Sequence, residues 1–390
     1  MKEVHVITCE YPPQTGGVSD YVYLITSKLA STGWVAHVWG PRLEGKPPGI
    51  SGASFHDEMG RFSPSDIKRT DNQLNQFSSP RHLFVQWVPH GYGYKSLNIW
   101  FCFWIWKRAK VDRDIVDLMI HEPFLGFTKK SWRQNFAALT HRIMMVLLLN
   151  AADHVLISVP AWEKLLMPYA LGKKVPFKWL PIPSGIPVYN LNREKIALLK
   201  KKYLGNSVFL IGHFGTYGGF ISELLIRIIP KLTHHCPDRK FLFLGKNSDK
   251  FCEQLLQAYP DLKSQIYSTG MLDQQSLSEH IQACDIFIQP YPDGVSSRRT
   301  SIMTLLAHGL PVVTTKGFLT EPLWVKSNAI FLSNNIDNDK VVELIKRLLN
   351  NPIERKGLGE GAKIFYQRNF NIDCNIKNLI KILSLSSKAL

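Results

Sequence analysis

Short apolar runs and longer amphipathic segments alternate through the first half of the chain. "VHVIT" (4–8) predicts a first β-strand. In the segment that follows, Val18, Tyr21 and Ile25 share one helical face before Gly33 ends the pattern. Further strands are predicted at 35–40, 82–88, 117–121 and 154–159. These strands are apolar on both faces, which is typical of a buried parallel sheet.

The second half begins the same alternation again. Strands are predicted at 207–215, 240–245, 266–270, 285–291, 311–315 and 329–333, with amphipathic helices between them. Strands that alternate with helices favour βαβ units, and therefore an α/β fold. The segment 178–195 holds three prolines and predicts a linker between two doubly wound, Rossmann-like domains. In such a fold, the loops that follow the strands face a binding cleft.

These patterns predict an N-terminal domain over 1–187 and a C-terminal domain over 188–371. A last helix is expected at about 372–390, where it packs back on the first domain.

The charge balance narrows the class of partner. Among 390 residues, 47 are Lys or Arg and 31 are Asp or Glu, which gives a net charge of +16. Such an excess favours an anionic partner. The basic residues are dispersed, with no zinc-ligand spacing and no aromatic-basic RNA signature, so nucleic acid ranks behind phosphorylated ligands and acidic membranes. Six separated cysteines predict free thiols in a reducing cytoplasm.

Two apolar segments are shorter than the ~18 residues that suggest a membrane span. They are "NIWFCFWIWKRAK" (98–110) and "IMMVLLLNAA" (143–152). Two core helices are the preferred interpretation. The alternative is a monotopic surface at the inner face of the cell membrane, with tryptophans at the level of the lipid headgroups: Trp100, Trp104 and Trp106.

One glycine-rich loop follows the first strand of each half. In "EYPPQTGGVSDYV" (10–22), Gly16 and Gly17 would let a phosphate approach a helix N-terminus; the alternative is a tight turn. In "GHFGTYGGF" (212–220), the backbone around Gly215 and Thr216 could cradle a diphosphate. Neither loop has the Walker A pattern, and no acidic residue is placed to clamp a ribose, so a nicotinamide dehydrogenase is disfavoured.

Two adjacent arginines are the strongest candidates for chemistry. In "DGVSSRRTS", Arg298 and Arg299 precede a predicted helix that begins at Thr300. They can neutralise about two phosphate charges, and their place at the positive end of a helix favours an anion that completes the site. Nearby hydroxyls can donate hydrogen bonds: Ser296, Ser297 and Ser301. The alternative is an ion pair between one arginine and Asp293, with the other arginine solvated.

The strand end "MIHEPF" (119–124) provides a further candidate. His121 could bind a sugar hydroxyl or steady a leaving group. On spacing alone, a packed and satisfied histidine is favoured.

The order of these motifs resembles the family 4 glycosyltransferases, which are retaining enzymes of the GT-B fold. The resemblance rests on the opening strand, loop and helix (11–40), on "LPIPSGIPV" (180–188), on "STGMLDQQSLSEHIQACDIFIQPY" (268–291) and on "LLAHGLPVVTT" (305–315). It implies two Rossmann-like domains that face each other across a cleft. It also implies a nucleotide-sugar donor held mainly by the second domain, and a reaction without a protein nucleophile. No cofactor is expected, and no metal ion is expected because no Asp-x-Asp pair is placed to hold one.

The resemblance assigns roles residue by residue. Gly16 and Gly17 should approach the diphosphate or the donor sugar, and His121 should touch that sugar. The backbone of "TGM" should lie near the base: Thr269, Gly270 and Met271.

Two departures from the family pattern stand out. The two glutamates that the family usually carries would fall at Ser296 and Thr304, and neither is a carboxylate here. Their contacts are made otherwise, by Asp293 and Ser297, or are absent. The usual arginine and lysine after the first strand of the second domain are also missing. We therefore expect Arg298 and Arg299 to hold the donor diphosphate and to stabilise its charge as the sugar leaves.

The sequence thus predicts a glycosyltransferase that acts on a glycan, a lipid-linked or a small-molecule acceptor, in cell-envelope or exopolysaccharide synthesis. An anionic membrane, contacted peripherally, is expected as a further partner, and no nucleic acid is expected. Alternatives are a non-catalytic sugar-nucleotide-binding protein that supports a partner enzyme and a sugar-nucleotide epimerase. A phosphorylase is disfavoured, because no lysine lies in a setting typical of pyridoxal phosphate. An RNA-binding protein is the most distant alternative.

Overall fold

The fold consists of two parallel-sheet units, seen in a computed structural model that describes residues 2–190, 192–234, 236–334 and 337–386. The first unit comprises residues 2–181 and 372–386, and the second comprises the described residues within 182–371. The predicted α/β class with two Rossmann-like domains is confirmed. None of the helices in the described part of the chain combines the length and apolar character needed to cross a bilayer.

The first unit is built on a seven-stranded parallel sheet of order β3-β2-β1-β4-β5-β6-β7. Its strands are β1 (Glu3–Ile7), β2 (Val35–Pro41), β3 (Ala53–Gly60), β4 (His82–Trp87), β5 (Ile115–Ile120), β6 (His154–Ile157) and β7 (Phe177–Trp179). Its helices before the linker are α1 (Gly17–Ser31), α2 (Pro64–Leu74), α3 (Ile99–Lys110), α4 (Trp132–Ala151) and α5 (Ala161–Leu166).

The second unit is built on a six-stranded parallel sheet of order β10-β9-β8-β11-β12-β13. Its first elements are α6 (Arg193–Leu204), β8 (Phe209–Phe214), α7 (Gly219–Thr233), β9 (Arg239–Leu244), α8 (Ser248–Ala258), β10 (Ile266–Ser268) and α9 (Gln274–Ala283). They are followed by β11 (Ile286–Gln289), α10 (Thr300–Ala307), β12 (Val312–Thr315), α11 (Pro322–Lys326), β13 (Phe331–Ser333), α12 (Asn338–Asn350) and α13 (Pro352–Asn369).

Alternate residues of the second sheet supply two separate hydrophobic clusters. Leu210 and Phe287 belong to one cluster, while Ile211 and Ile286 belong to the other. Side chains along a strand point to opposite faces of the sheet, so both faces are buried under helices. This burial explains the continuous apolar runs of these strands.

The last helix, α14 (Ile372–Ser386), belongs to the first unit and packs against α1. Lys28 Nζ on α1 lies 3.1 Å from Asp373 Oδ1. Residues 387–390, which are also part of the helix predicted from sequence, lie outside the described residues.

The elements of the first unit that the hydrophobic pattern missed include β3 and α2. β3 is an edge strand that pairs only with β2 within the described residues, and it is mostly half-buried, so its polar sequence gives little periodic signal. The helix α2 is instead marked by its start. The Ser63 hydroxyl accepts the Asp66 N–H, the Asp66 carboxylate accepts the Ser63 N–H, and Pro64 holds the first helical position.

Three histidines lie side by side across β1, β2 and β3. His37 Nδ1 and His56 Nε2 are 3.0 Å apart, and the Trp39 indole donates to His5 Nδ1 at 3.2 Å. Burial, followed by the neighbouring imidazoles, lowers the pKa of His5 to about 3 and that of His56 to about 4. Burial also lowers the pKa of His37, against the effect of Glu3. All three rings are therefore neutral in the folded protein at neutral pH.

This cluster predicts a loss of stability on mild acidification. The unfolded chain binds protons near pH 6.5, and the folded cluster resists them down to about pH 4. The free energy of unfolding should therefore fall as the pH drops through this window. Denaturant titrations at a series of pH values should show a shallower fall for His56→Gln than for the natural protein. His90→Gln, at an exposed position, is the control and should keep the natural slope. Equal slopes in all three proteins would contradict the prediction.

Candidate functional site

The candidate site of the second unit lies where the strand order reverses. β8 is flanked by β9 on one side and by β11 on the other, so the chain leaves β8 and β11 toward opposite sides of the sheet. Ligands of open α/β sheets bind in the crevice at such a switch point, outside the carboxyl ends of the strands. The two loops at this point are the glycine-rich loop 215–218 and the loop 290–299 that carries the arginines.

The glycine-rich loop ends in a helix N-terminus that no side chain caps within the described residues. α7 begins at Gly219 after Gly218, and its first N–H groups have no partner inside the helix. The loop is pinned by Tyr217, whose hydroxyl donates toward the carbonyl oxygens of His213 (3.2 Å) and Leu244 (3.1 Å). The helix therefore presents backbone donors and partial positive charge to an anion.

The two arginines share one carboxylate. Arg298 and Arg299 each form an ion pair with Asp293, and each side chain is 20% exposed. The Arg299 guanidinium also lies 4.7 Å from the centre of the Tyr291 ring. Burial opposes ionisation of Asp293, but the two guanidinium groups lower its pKa overall. The alternative in which one arginine pairs with Asp293 and the other is solvated does not describe this arrangement, because Asp293 contacts both arginines.

Close backbone packing fixes the loop that carries this trio. Gly294 has a φ of +85°, and a Cβ there would overlap the Gly317 nitrogen. The Val295 N–H donates to the Thr315 carbonyl at 2.9 Å. The Ser297 N–H donates to Glu321 Oε1 at 3.0 Å. Because the neighbouring loop touches it along its length, the arginine loop is held in a defined position.

One pocket brings the helix start and the arginines together. Its volume is about 410 Å³, within the range of small-molecule sites. Its lining combines the start of α7, the Asp293–Arg298–Arg299 trio and apolar side chains: Gly218, Gly219, Phe220, Ile221, Pro292, Asp293, Arg298, Arg299 and Phe318. Phe220 and Phe318 are 73% and 80% exposed and flank the charged groups. This pocket can hold an anion against one wall and a flat or apolar group against another.

The residues predicted to lie near the base meet at the same sheet edge but outside that pocket lining. The Gly245 N–H donates to the Gly270 carbonyl at 3.2 Å, and the Thr269 N–H donates to the Phe243 carbonyl at 3.1 Å. Gly245 has a φ of +105°, and a Cβ there would overlap the Gly215 carbonyl oxygen. Thr216 is exposed, and so is Met271. Close backbone contact therefore joins the loops that follow β8, β9 and β10.

The predicted serine donors do not line the pocket. Ser296 and Ser297 are fully buried, and their hydroxyls have no hydrogen-bond partner within the described residues. The Ser301 hydroxyl is bonded to the Tyr291 hydroxyl at 2.8 Å. Thr304, at the place of the second family glutamate, donates to the Thr300 carbonyl and lies 3.2 Å from Ser184 Oγ. These side chains support the loop and helix around the arginines.

Two buried polar residues at the strand ends were missed by the sequence analysis. The His213 Nδ1–H donates to the Ile288 carbonyl at 2.7 Å, and Gln289 Nε2 donates to the Phe214 carbonyl at 2.9 Å. Burial lowers the pKa of His213 to about 4, although the hydrogen bond to Ile288 opposes the shift. His213 is therefore neutral and links β8 to β11 across the switch point. Its place inside "GHFG" was the available signal. Phe220 and Phe318 were missed as well, because an isolated aromatic residue after a loop gives no periodic signal.

In the first unit, His121 is a buried, neutral histidine at the end of β5. Its Nε2–H donates to Gln86 Oε1 at 3.0 Å, and its ring packs edge-on against Tyr21. Burial lowers the pKa of His121 to about 3. Its Nδ1 can accept a hydrogen bond from a hydroxyl, but the ring does not supply a proton at neutral pH.

The first glycine loop already holds an anion of its own. Glu10 Oε1 accepts the Val18 N–H at 2.9 Å and the Ser19 N–H at 3.0 Å, so its carboxylate caps the start of α1. A Cβ at Gly16 would overlap this carboxylate, whereas a Cβ at Gly17 would meet nothing within 4 Å. Gly16 is therefore needed for the approach of Glu10, a role that the sequence analysis gave to a phosphate. Among the described residues, no group of three or more His, Cys, Asp or Glu side chains could hold a metal ion in either unit.

A double-mutant cycle tests this cap. Gly16→Ala should destabilise the protein by about 1 kcal/mol, because the new methyl group displaces the carboxylate from the α1 N–H groups. In a Glu10→Ala background, the same change should cost almost nothing. Gly17→Ala is the matched control and should be close to neutral in both backgrounds. Chemical denaturation measures all four proteins of the cycle. Additive effects of Gly16→Ala and Glu10→Ala would show that the two residues are not coupled.

Comparison with known proteins identifies relatives of the second unit. Residues 207–351 match the family model of the group 1 glycosyl transferases, from the strand before the glycine loop to the end of α12. A GDP-mannose-dependent monoacylated alpha-(1-6)-phosphatidylinositol monomannoside mannosyltransferase from Corynebacterium glutamicum is 25% identical over 167 residues. That match covers 41% of this chain and 43% of the relative, so it spans less than half of either protein.

Solved structures extend the likeness to the whole chain. Sucrose-phosphate synthase from Thermosynechococcus elongatus superposes with a TM-score of 0.79 at 14% identity, over 100% of both chains. HepE from Anabaena, in complex with UDP-glucose, has a TM-score of 0.70 at 14% identity and covers 98% of this chain and 100% of its own. At such identity, the likeness establishes the fold alone. The resemblance drawn from sequence is confirmed at this level: the protein has the GT-B fold of glycosyltransferases, and its second unit carries the match to the group 1 glycosyl transferases.

Proposed function

We propose that the protein is a glycosyltransferase that moves a sugar from a nucleotide-sugar donor to an acceptor, with retention of the anomeric configuration. The observation that carries the proposal is the pocket at the switch point, where Arg298, Arg299 and the start of α7 converge. The family match of residues 207–351 supports it. The acceptor is a glycan, a lipid-linked molecule or a small molecule, and the reaction belongs to the synthesis of a cell-envelope or extracellular glycan.

The charges in the pocket suit a diphosphate. Two guanidinium groups and one carboxylate sum to +1, and a helix N-terminus adds roughly half a positive charge. A nucleoside diphosphate gains negative charge as the sugar leaves, so these groups are most favourable in the transition state. Asp293 keeps the arginines in position, in place of the sugar contact expected for it. The positive charge comes from the protein itself, so the proposal needs no metal ion and no cofactor.

The remaining residues position the donor. The backbone of Thr269, Gly270 and Met271 lies at the same sheet edge as the Gly215 loop and is proposed to meet the base. His121 is proposed to accept a hydrogen bond from the donor sugar, since its ring is neutral. Gly17, next to the α1 cap, is proposed to leave room for that sugar. No protein nucleophile takes part, and catalysis rests on orientation and on charge stabilisation.

A thermal-shift panel identifies the donor. UDP-, GDP-, ADP- and dTDP-sugars are compared at equal concentration, and one of them should raise the melting temperature selectively by mass action. HepE was solved with UDP-glucose, and the Corynebacterium relative is named for GDP-mannose, so both bases belong in the panel.

The double variant Arg298→Ala/Arg299→Ala tests the diphosphate site. It should lose the donor-induced shift and at least about 100-fold in turnover, because both cations at the leaving group are removed. Lys201→Ala/Lys202→Ala is the matched control, because it also removes two positive charges, here from the exposed end of α6. Turnover and melting temperature are measured for each protein with the donor from the panel.

The double alanine variant leaves Asp293 without its cations, which can prevent folding. A second variant therefore separates loss of folding from loss of the diphosphate site. Arg298→Lys/Arg299→Lys keeps the charge but not the bidentate geometry, and it should fold normally with lowered turnover. Full activity in both arginine variants would overturn the proposed role.

Product analysis separates the rival functions. A glycosylated acceptor with the donor's anomeric configuration supports the proposal. A changed or freed sugar without an acceptor would instead indicate an epimerase. Donor binding without any product would indicate a non-catalytic sugar-nucleotide-binding protein.

A further inference from the structure

The outward faces of α3 and α4 in the first unit are apolar where a solvent-facing helix is normally polar. Trp100 on α3 is 66% exposed and Trp132 on α4 is 75% exposed. On α4, the exposed apolar residues recur at positions 132, 136, 139 and 143, which form one helical stripe. We call this surface the α3–α4 face, and its exposed apolar residues are Ile99, Trp100, Phe103, Trp132, Phe136, Leu139 and Ile143.

The inward sides of both helices are already packed. Phe101 and Ile105 of α3 are fully buried, as are Met144 and Leu148 of α4. α3 is also anchored by a buried ion pair between Arg108 and Asp114. The α3–α4 face is therefore an additional apolar surface and not part of the core of this unit.

The two helices pack side by side. The Trp106 indole on α3 donates to Asn150 Oδ1 on α4 at 2.9 Å, and its ring stacks on Phe103 at 5.6 Å. His141 Nε2 on α4 also donates to the Ser96 carbonyl just before α3 at 2.9 Å, so α3 lies beside the second half of α4 and its exposed residues begin near Ile143, where the α4 stripe ends.

The charged side chains on α3 and α4 themselves are all basic. α3 and α4 together contain no Asp or Glu. Exposed basic residues lie at the end of α3 and around the start of α4: Lys110, Lys129, Lys130 and Arg133. A second copy of this chain would set these like charges against each other in a two-fold interface. Anionic lipid headgroups would instead neutralise them.

We propose that the α3–α4 face docks on an anionic lipid bilayer as a monotopic surface. Trp100, Phe103, Trp132 and Phe136 enter the boundary between headgroups and acyl chains, and the basic residues contact lipid phosphates. The surface differs from the one suggested by sequence. Of the three tryptophans in α3, only Trp100 is exposed; Trp104 is buried with its indole bonded to Asp71, and Trp106 is half-buried.

Vesicle flotation tests the proposal on the full chain without any donor or acceptor. The protein should float with vesicles of phosphatidylcholine that contain about a third phosphatidylglycerol, and only weakly with phosphatidylcholine alone. Trp100→Ser/Trp132→Ser should weaken partitioning by about tenfold for each indole removed. Lys129→Gln/Lys130→Gln should lose most of the preference for anionic vesicles, and added salt should mimic this effect.

Leu198→Ser/Ile353→Ser is the matched control. It removes two exposed apolar side chains from the second unit and should leave flotation unchanged. Thermal unfolding of each variant confirms that it is folded.

Two outcomes would overturn the proposal: no flotation of the natural protein with either vesicle type, or a dimer in solution that Trp100→Ser/Trp132→Ser dissociates. Flotation does not depend on catalysis, so this result is independent of the test of the proposed function.

Discussion

Arg298, Arg299 and Asp293 hold the candidate site in a net positive state at the carboxyl edge of the second sheet. A single carboxylate cannot neutralise two guanidinium groups, and it keeps both of them from extending into solvent. The loop that carries the trio is fixed by contact with Gly317 and by hydrogen bonds to the next loop. The start of α7 faces the same pocket. A rigid, incompletely neutralised cationic site is the arrangement that stabilises a developing anion without reorganisation.

The two glycine loops illustrate how similar motifs acquire different chemistry. Each follows the first strand of a parallel sheet and opens a helix. In the first loop, Glu10 occupies the helix N-terminus, and Gly16 makes room for it. In the second loop, the described residues provide no side-chain cap for α7, and the two arginines lie beside it. This contrast places the proposed diphosphate site in the second unit.

The distribution of charge within the first unit has a similar logic. Acidic residues such as Asp71 and Asp114 bind Arg108 on the inward side of α3, and none remains on α3 or α4 to face solvent. Part of the net charge of +16 is therefore concentrated in two places. These are the arginine pair in the pocket and the exposed basic residues beside the α3–α4 face. Both sites favour anions. The arginine pair favours a small anion in a pocket, and the α3–α4 face favours an extended anionic surface.

The sequence by itself determined the α/β class, the repetition of the architecture, and the place of the arginines before α10. Strands buried on both faces give continuous apolar runs, and glycines and helix starts are local signals. Only the tertiary structure decided that Asp293 contacts both arginines and that Glu10 fills the first helix N-terminus. It also decided that Ser296 and Ser297 are buried, and that Phe220 and Phe318 flank the pocket. Each of these depends on which loops meet at a sheet edge. The residues that meet there lie 5 positions apart for Asp293 and Arg298, 24 apart for Ser297 and Glu321, and farther still for Phe220 and Phe318, through packing that no local pattern encodes.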